Sequence, residues 1–334
     1  MKKITAAITA VGGYVPDYVL TNAELEQMVD TSDDWITARF GIKERRILKG
    51  MDKGTSELCT PVALEICRRR GIQPEEIEVL ILSTATPDRI TPSTSLIVMS
   101  KIGASNAWGL DINAACSGFL CGLNIGASFI ESGRYRNVMV ISGDKMSAVV
   151  DYKDRTTCVL FGDGAGGVLL EPSEGGFGVM DVLLRSDVSD IDGLHIKAGG
   201  SARPATSITV DNREHFVQMN GKTVLKYAVP GMIQVVQDIL HRNQLSVADL
   251  DWLVPHQANK RILEIVAREL GIPLEKVMIN IDRYGNTSAG TVPLCLWDYR
   301  DKLKNGDKLI LVSIGAGFIW GASYVLWGAD NYYK

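Results

Sequence analysis

The apolar residues of this chain fall in short continuous runs, Val79–Leu82, Val138–Ile141 and Leu309–Val312 among them, instead of alternating with polar ones. A strand with no polar face is covered on both sides, which predicts a buried, mostly parallel α/β sheet. The stretch ITAAITAVGGYV near the N-terminus, broken by threonines and ended by Gly12-Gly13, reads as a first strand. Between the runs lie helical stretches, of which CSGFLCGLNIGASFIESG carries Gly118, Gly122, Gly126 and Ala127 on closely spaced turns. So many small residues make a helix poor by propensity and let another backbone approach it. It is expected in the interior, between two sheets. From about Pro172 to Val217 the pattern dissolves into Gly, Ser and Asp clusters, read as loops leading into the second half.

The order of elements repeats. RRRGIQPEEI leads into Val79–Leu82 and later into WGLDINAACSG; HRNQLSVADL leads into Trp252–Val254 and later into VMINIDRYGNTSAG. ESGRYRNVMVISGDK is likewise matched by KNGDKLILVSIGAG. A constant offset of this kind marks an internal duplication, with halves expected at 1–174 and 175–334. In this register Asn286 falls opposite Cys116.

Composition narrows the function. At 334 residues, 46% hydrophobic and 22% charged, the chain is globular, and its net charge of −4 offers no general attraction to nucleic acid or an anionic membrane. An anionic partner has to meet a local basic patch. The six cysteines include no C-x-x-C pair, which argues against a metal centre and a disulfide framework. No metal or other cofactor is expected. Met1-Lys2-Lys3 before an apolar stretch imitates an export signal, but the threonines and the Gly pair favour a strand, and hence the cytoplasm.

Cys116 follows the strand-like WGLDI and opens the Gly-rich helix. Unsatisfied N–H groups at a helix N-terminus stabilise a thiolate, so a lowered thiol pKa is expected there; a plain core cysteine is the alternative. Of the four histidines only His256 ends an apolar run, WLVP, where α/β folds present reactive groups. If the halves face each other across a pseudo-twofold axis, Cys116, His256 and Asn286 form one constellation. Phe161-Gly162-Asp163-Gly164-Ala165-Gly166-Gly167 fits G-x-G-x-x-G, yet a strand-like VLLEP comes after it where a dinucleotide site needs a helix.

Six segments taken in order, TSDDWITARFGIKERR, NAACSGF, LFGDGAGGVLL, PHQANKRI, RYGNTSAGTVP and IGAGFIWG, resemble the β-ketoacyl-acyl-carrier-protein synthases III, condensing enzymes of the thiolase superfamily. The resemblance spans nearly the whole chain. It implies a thiolase-like five-layered αβαβα fold of two duplicated halves, a homodimer, and the start of type II fatty acid synthesis. Cys116 is then the nucleophile toward an acyl-CoA primer. His256 Nε2–H and the Asn286 amide hold the enolate left when malonyl-acyl-carrier protein (malonyl-ACP) loses CO2. The backbone N–H groups of Cys116 and Ala316 form the second oxyanion hole, where the family's three glycines are replaced by Gly315-Ala316-Gly317.

The resemblance also assigns binding residues. Trp35, Arg39 and Arg155 match those that grip CoA's adenine and phosphates. Gln257, Ala258, Asn259, Lys260, Arg261 and Lys226 match the carrier-protein side; Lys222 and Arg268 extend that basic set, with an ordinary solvated face as the alternative for these two. Thr91 stands where the family lines the far end of the acyl pocket, and its small side chain implies primers longer or more branched than acetyl-CoA. The same triad also suits a related condensing enzyme of secondary metabolism, and its cysteine and histidine suit a thioester hydrolase.

Overall fold

A computed structural model describes residues 4–328 of the chain. Its strands in chain order are β1 (Thr5–Tyr14), β2 (Val19–Thr21), β3 (Glu44–Arg46), β4 (Val79–Ser83), β5 (Trp108–Ile112), β6 (Val138–Asp144), β7 (Gly164–Ser173), β8 (Gly178–Ser186), β9 (Leu194–Ile196), β10 (Val217–Met219), β11 (Trp252–Pro255), β12 (Lys308–Gly315) and β13 (Ile319–Leu326). The large sheet runs β11-β12-β13-β8-β1-β7-β6-β4-β5. This order mirrors itself about the β1/β8 joint, where a single pair, Ala6 with Val179, connects two half-sheets. On one side β4 is parallel to β6, and β7 is antiparallel to β6 and β1. On the other, β11 is parallel to β12, and β13 is antiparallel to β12 and β8. The bridge from Leu253 to Val277 takes the place that β5 holds beside β4.

The continuous apolar runs divide their side chains between layers. Val79, Ile81, Val138 and Val140 point into a central core with Leu309 and Leu311, while Leu80, Leu82, Met139 and Ile141 face the outer helices Thr55–Arg70 and Thr94–Ile102. Ile310 and Val312 face the other outer pair, Gly221–Arg242 and Lys260–Leu270. With the helices Gly118–Glu131 and Thr291–Tyr299 in the central core, the chain forms five layers, αβαβα. Each run has two apolar faces because each half-sheet is covered twice.

Two expectations need adjustment, and a third holds. The helix Gly118–Glu131 is interior along one face only, for Asn124 and Ser128 are exposed. The stretch after Pro172 is not all loop: β8 pairs with β13 along its length, hidden in the sequence because Asp181 and Arg185 interrupt its apolar pattern. Asp181 accepts from Asn243 and Arg185 pairs with Asp238. The glycine-rich segment runs into β7, which begins at Gly164, and precedes no helix, as expected. A Cβ on Gly166 would stand 2.9 Å from the backbone of Pro293 and Leu294, so the glycine admits the helix Thr291–Tyr299 onto the strand.

The signal-like Met1-Lys2-Lys3 lies outside the described residues, and the apolar stretch beside it forms β1, in mid-sheet. No helix among the described residues is long and apolar enough to cross a membrane.

Candidate active site

Cys116 is placed by a close fit between the halves. It sits in a 3-10 turn, Ala115–Ser117, directly before the helix Gly118–Glu131, and Ser313 of β12 donates to its carbonyl at 2.7 Å. A Cβ on Gly315 would fall 2.7 Å from the Cys116 backbone nitrogen. Glycine is therefore required at 315, and the second half closes against the Cys116 N–H.

The duplicate turn is Ser288–Gly290, ahead of the helix Thr291–Tyr299. Ala115 and Ser288 both have positive φ, 45° and 54°. Asn113 Oδ1 accepts from Ala115 N at 3.2 Å, and Asn286 Oδ1 accepts from Ser288 N at 2.8 Å. The equivalence is thus Asn113 with Asn286 and Cys116 with Ala289. The expected pairing of Cys116 with Asn286 is off by three residues, since the two asparagines make the same turn and fix the register.

Asn286 and His256 both come to this turn. Asn286 is buried and anchored by its backbone, with N–H to Leu160 O at 2.8 Å and its carbonyl accepting from Gly162 N at 3.1 Å. Because Oδ1 serves Ser288, the NH2 end of the amide is left to donate. His256 extends β11; its N–H donates to Val312 O at 2.8 Å, next to the Ser313 that holds Cys116. Its Nδ1 lies 2.7 Å from Thr291 Oγ1, and the Thr291 hydroxyl is 3.0 Å from Ser288 O. Ser288 Oγ in turn lies 3.7 Å from Cys116 Sγ. One turn thus touches the cysteine and, through Thr291, the histidine.

Burial sets the electrostatics. It pulls His256 down to about 3, so the ring is neutral at physiological pH. It also pushes the Cys116 thiol up to about 12, partly offset by the hydrogen bond with Ser288. The expected thiol-lowering effect of the helix terminus is outweighed, because Cys116 is only 8% exposed and burial is the largest influence on its thiol. Asp144, fully buried at the end of β6, ties the halves together. It accepts from Ala85 N at 2.7 Å, Thr84 Oγ1 at 2.9 Å and Ala289 N at 3.2 Å. Burial raises its pKa, while hydrogen bonds from Ser288, Ala85, Thr84 and Thr86 oppose the shift.

A cavity of about 1070 Å³ opens beside the thiol, lined by Cys116, Ser288 and Ala316 and, farther out, by Asp88, Arg89 and Val217. Ala316 is not among the residues with positive φ, so the alanine is accommodated without strain. Thr91 does not line this cavity. It is exposed on the turn before the helix Thr94–Ile102, and the wall is made by its neighbours Pro87, Asp88 and Arg89 instead.

The other expected residues divide. The Arg39 and Arg155 guanidiniums lie 5.4 and 5.5 Å from the Trp35 ring, so the three are brought together at the surface. Lys226, Arg261, Lys222 and Arg268 are exposed, the last paired with Glu269. Asn259 caps the helix Lys260–Leu270 through Arg261 N, Lys260 packs on Gly41, and Ala258 is half-buried. Gln257 is fully buried, donating to Pro255 O and Met278 O and accepting from Asn280 N. It braces the strand end under His256 and cannot reach a partner protein. Ser288, Thr291 and Asp144 escaped the sequence reading. For the first two, which flank the Ala289 that answers Cys116, the register that would have pointed to them is set by the structure and not by apolar spacing.

A duplicated five-layered fold with a buried cysteine at a helix head, and a histidine and an asparagine delivered from the other half, defines a thiolase-like condensing enzyme. The family described as 3-oxoacyl-[acyl-carrier-protein (ACP)] synthase III matches residues 110–188, and its C-terminal counterpart matches residues 240–327. β-Ketoacyl-[acyl-carrier-protein] synthase III of Porphyromonas gingivalis is 54% identical over 331 residues, 99% of either chain. The Chlorobaculum tepidum protein of the same name is 52% identical over 326 residues, covering 96% of this chain and 99% of its own. The crystal structure of 3-oxoacyl-[acyl-carrier-protein] synthase III from Aquifex aeolicus superposes with a TM-score of 0.89 at 39% identity, over 96% of this chain and 100% of that one. The chain belongs to the β-ketoacyl-acyl-carrier-protein synthase III family.

Proposed function

We propose that this enzyme joins an acyl-CoA primer to malonyl-ACP by decarboxylative Claisen condensation, giving 3-oxoacyl-ACP, CoA and CO2 at the start of type II fatty acid synthesis. The observation that carries the reading is Cys116 at the floor of a roomy cavity, with the Asn286–Thr291 turn of the other half closed over it. Cys116 attacks the primer thioester, forms an acyl-cysteine and releases CoA. Malonyl-ACP then loses CO2; His256 Nε2–H and the Asn286 amide donate to the enolate oxygen, and its carbon attacks the acyl-cysteine. The backbone N–H groups of Cys116 and Ala316 hold the oxyanion formed in that attack. Because each half, 1–174 and 175–334, supplies part of this machinery, neither half is catalytically complete. The cytoplasm is the assigned compartment.

Trp35 between two arginines suits a flat base carrying phosphates, and we assign Trp35, Arg39 and Arg155 to CoA. Lys226 and Arg261, with Lys222 and Arg268 beyond them, face the acidic carrier protein, with Ala258, Asn259 and Lys260 shaping the same rim. The edge strand β5 exposes Trp108 beside Phe129 and Tyr135, a face suited to a second copy in a homodimer. Thr91, exposed on a turn next to the cavity wall, adds no bulk that would limit the primer.

The decisive experiment incubates the protein with a panel of acyl-CoAs and reads the mass added to Cys116. Isobutyryl and longer groups are expected on Cys116 at rates comparable with acetyl; uptake of acetyl alone would refute the broad-primer reading, and an adduct elsewhere the nucleophile. Arg261→Glu is expected to weaken the malonyl-ACP step about tenfold, the scale of one lost charge contact, while sparing acylation. Equal losses in both half-reactions would remove Arg261 from the carrier-protein surface.

A further inference from the structure

Thr291 heads the helix Thr291–Tyr299, and its hydroxyl oxygen is shared between His256 Nδ1 at 2.7 Å and Ser288 O at 3.0 Å. A hydroxyl has one hydrogen to give, and a carbonyl oxygen can only accept. If Thr291 donates to Ser288, His256 must donate from Nδ1, and both contacts are hydrogen bonds. If Thr291 instead donates to Nδ1, two oxygens face each other lone pair to lone pair at 3.0 Å, and one bond is lost. Thr291 and His256 are 1% and 2% exposed, so bulk water does not replace that bond. No carboxylate joins burial in setting the ring's charge state, and the neutral imidazole carries one hydrogen.

We propose that Thr291 is a positioning residue that holds neutral His256 with its hydrogen on Nδ1 in the free enzyme, so that Nε2 begins each cycle as a proton acceptor. The inference rests on the roles given above to Cys116 and His256 and adds the order in which the proton moves. During acylation the bond from Cys116 Sγ to the acyl carbon forms and the bond from that carbon to CoA sulfur breaks. The thiol proton passes to His256 Nε2, which makes the otherwise neutral ring an imidazolium with a hydrogen on both nitrogens, and CoA leaves as a thiolate that takes a proton from water. Nε2 then carries the hydrogen that the enolate oxygen needs. When the 3-oxoacyl product forms, the carbon to Cys116 sulfur bond breaks and the Nε2 proton returns to the sulfur. One solvent proton is consumed per cycle, which balances loss of the malonyl carboxylate as CO2 and release of CoA as a thiol. The consequence is gating: before a primer is loaded, His256 has no hydrogen for an enolate, and malonyl-ACP is spared wasteful decarboxylation.

Thr291→Val keeps the branched shape and removes the hydroxyl. Nδ1 then faces a methyl group, and the ring hydrogen is expected on Nε2. Two rates should move in opposite directions: CO2 release from malonyl-ACP without primer rises about tenfold, and acylation of Cys116 by acyl-CoA falls about tenfold, the scale of one buried hydrogen bond. Thr291→Ser should restore both. Nitrogen-15 NMR of His256 in the primer-free wild type should place the hydrogen on Nδ1. A hydrogen on Nε2 in that spectrum, or a fall of both rates together in Thr291→Val, would overturn the proposal. The spectrum is read on the wild type and decides the matter even if the valine variant fails to fold. A wild type that forms no acyl adduct on Cys116 would instead refute the condensing reading, with the NMR assignment still standing.

Discussion

Cys116→Ala should take up no acyl group from any acyl-CoA and should form no 3-oxoacyl product. The loss expected is on the order of a millionfold, as when the nucleophile of a covalent enzyme is removed. It follows from the way the site is built. Every group near Cys116 holds or orients it: Ser313 its carbonyl, Gly315 its backbone nitrogen, Ser288 its thiol. None replaces it, because Ser288 Oγ is already engaged with Asp144 and sits on a backbone at φ 54°. Alanine costs little in folding, since it removes one sulfur at the edge of an open cavity, and the melting temperature should stay close to that of the wild type. Intact-mass measurement after incubation with acyl-CoA checks the first expectation, and product analysis with malonyl-ACP the second. An acyl adduct on the alanine variant would move the nucleophile elsewhere; Cys121, half-buried where the other cysteines are buried, lies along the helix Gly118–Glu131 and would be next to test.

Much of this architecture was legible because burial on two faces leaves a mark in composition. Val79–Leu82, Val138–Ile141 and Leu309–Val312 have no polar position to spare, and all three are strands flanked by helices on both sides. The duplication was legible for the same reason: both halves solve one packing problem with one order of elements. β8 was not, since Asp181 and Arg185 find their partners, Asn243 and Asp238, at the end of the helix Gly221–Arg242 and just beyond it, far along the chain. Nor was the register of the duplicate turns. Apolar spacing aligns strands, but the frame here is set by two asparagines closing the same side-chain-to-backbone turn at 113 and 286. Gln257 failed for a related reason. Beside Lys260 and Arg261 a glutamine reads as surface, whereas its amide satisfies Pro255, Met278 and Asn280 inside the fold. Polar groups with buried partners are what a linear sequence conceals best, and Thr291 and Asp144 belong with them.

The asparagine variant separates the two half-reactions most cleanly. Asn286→Ala removes the donor we propose for the enolate but no contact to Cys116 Sγ, so acylation should proceed near the wild-type rate. Decarboxylation should fall by about 100- to 1000-fold, or roughly 3 to 4 kcal/mol of barrier. The loss is this large because the amide is buried: a donor held 7% exposed is weakly screened and already oriented toward a developing charge. Ser288 N loses its Oδ1 partner in the same variant, so a modest drop in melting temperature is expected, and Asn286→Asp, which keeps an acceptor for Ser288 but removes the NH2 donor, distinguishes the two effects. Both variants should lose decarboxylation, and only alanine should lose stability through Ser288. His256→Ala should show the same loss of CO2 release together with slower acylation, since in the proposed cycle Nε2 also receives the thiol proton. The double variant should be little worse than either single one, because two donors on one oxygen act as a unit. Single-turnover acylation followed by CO2 release from malonyl-ACP reads each step in turn. Full decarboxylation by Asn286→Ala would take the asparagine out of the enolate site and leave His256 as its sole side-chain donor.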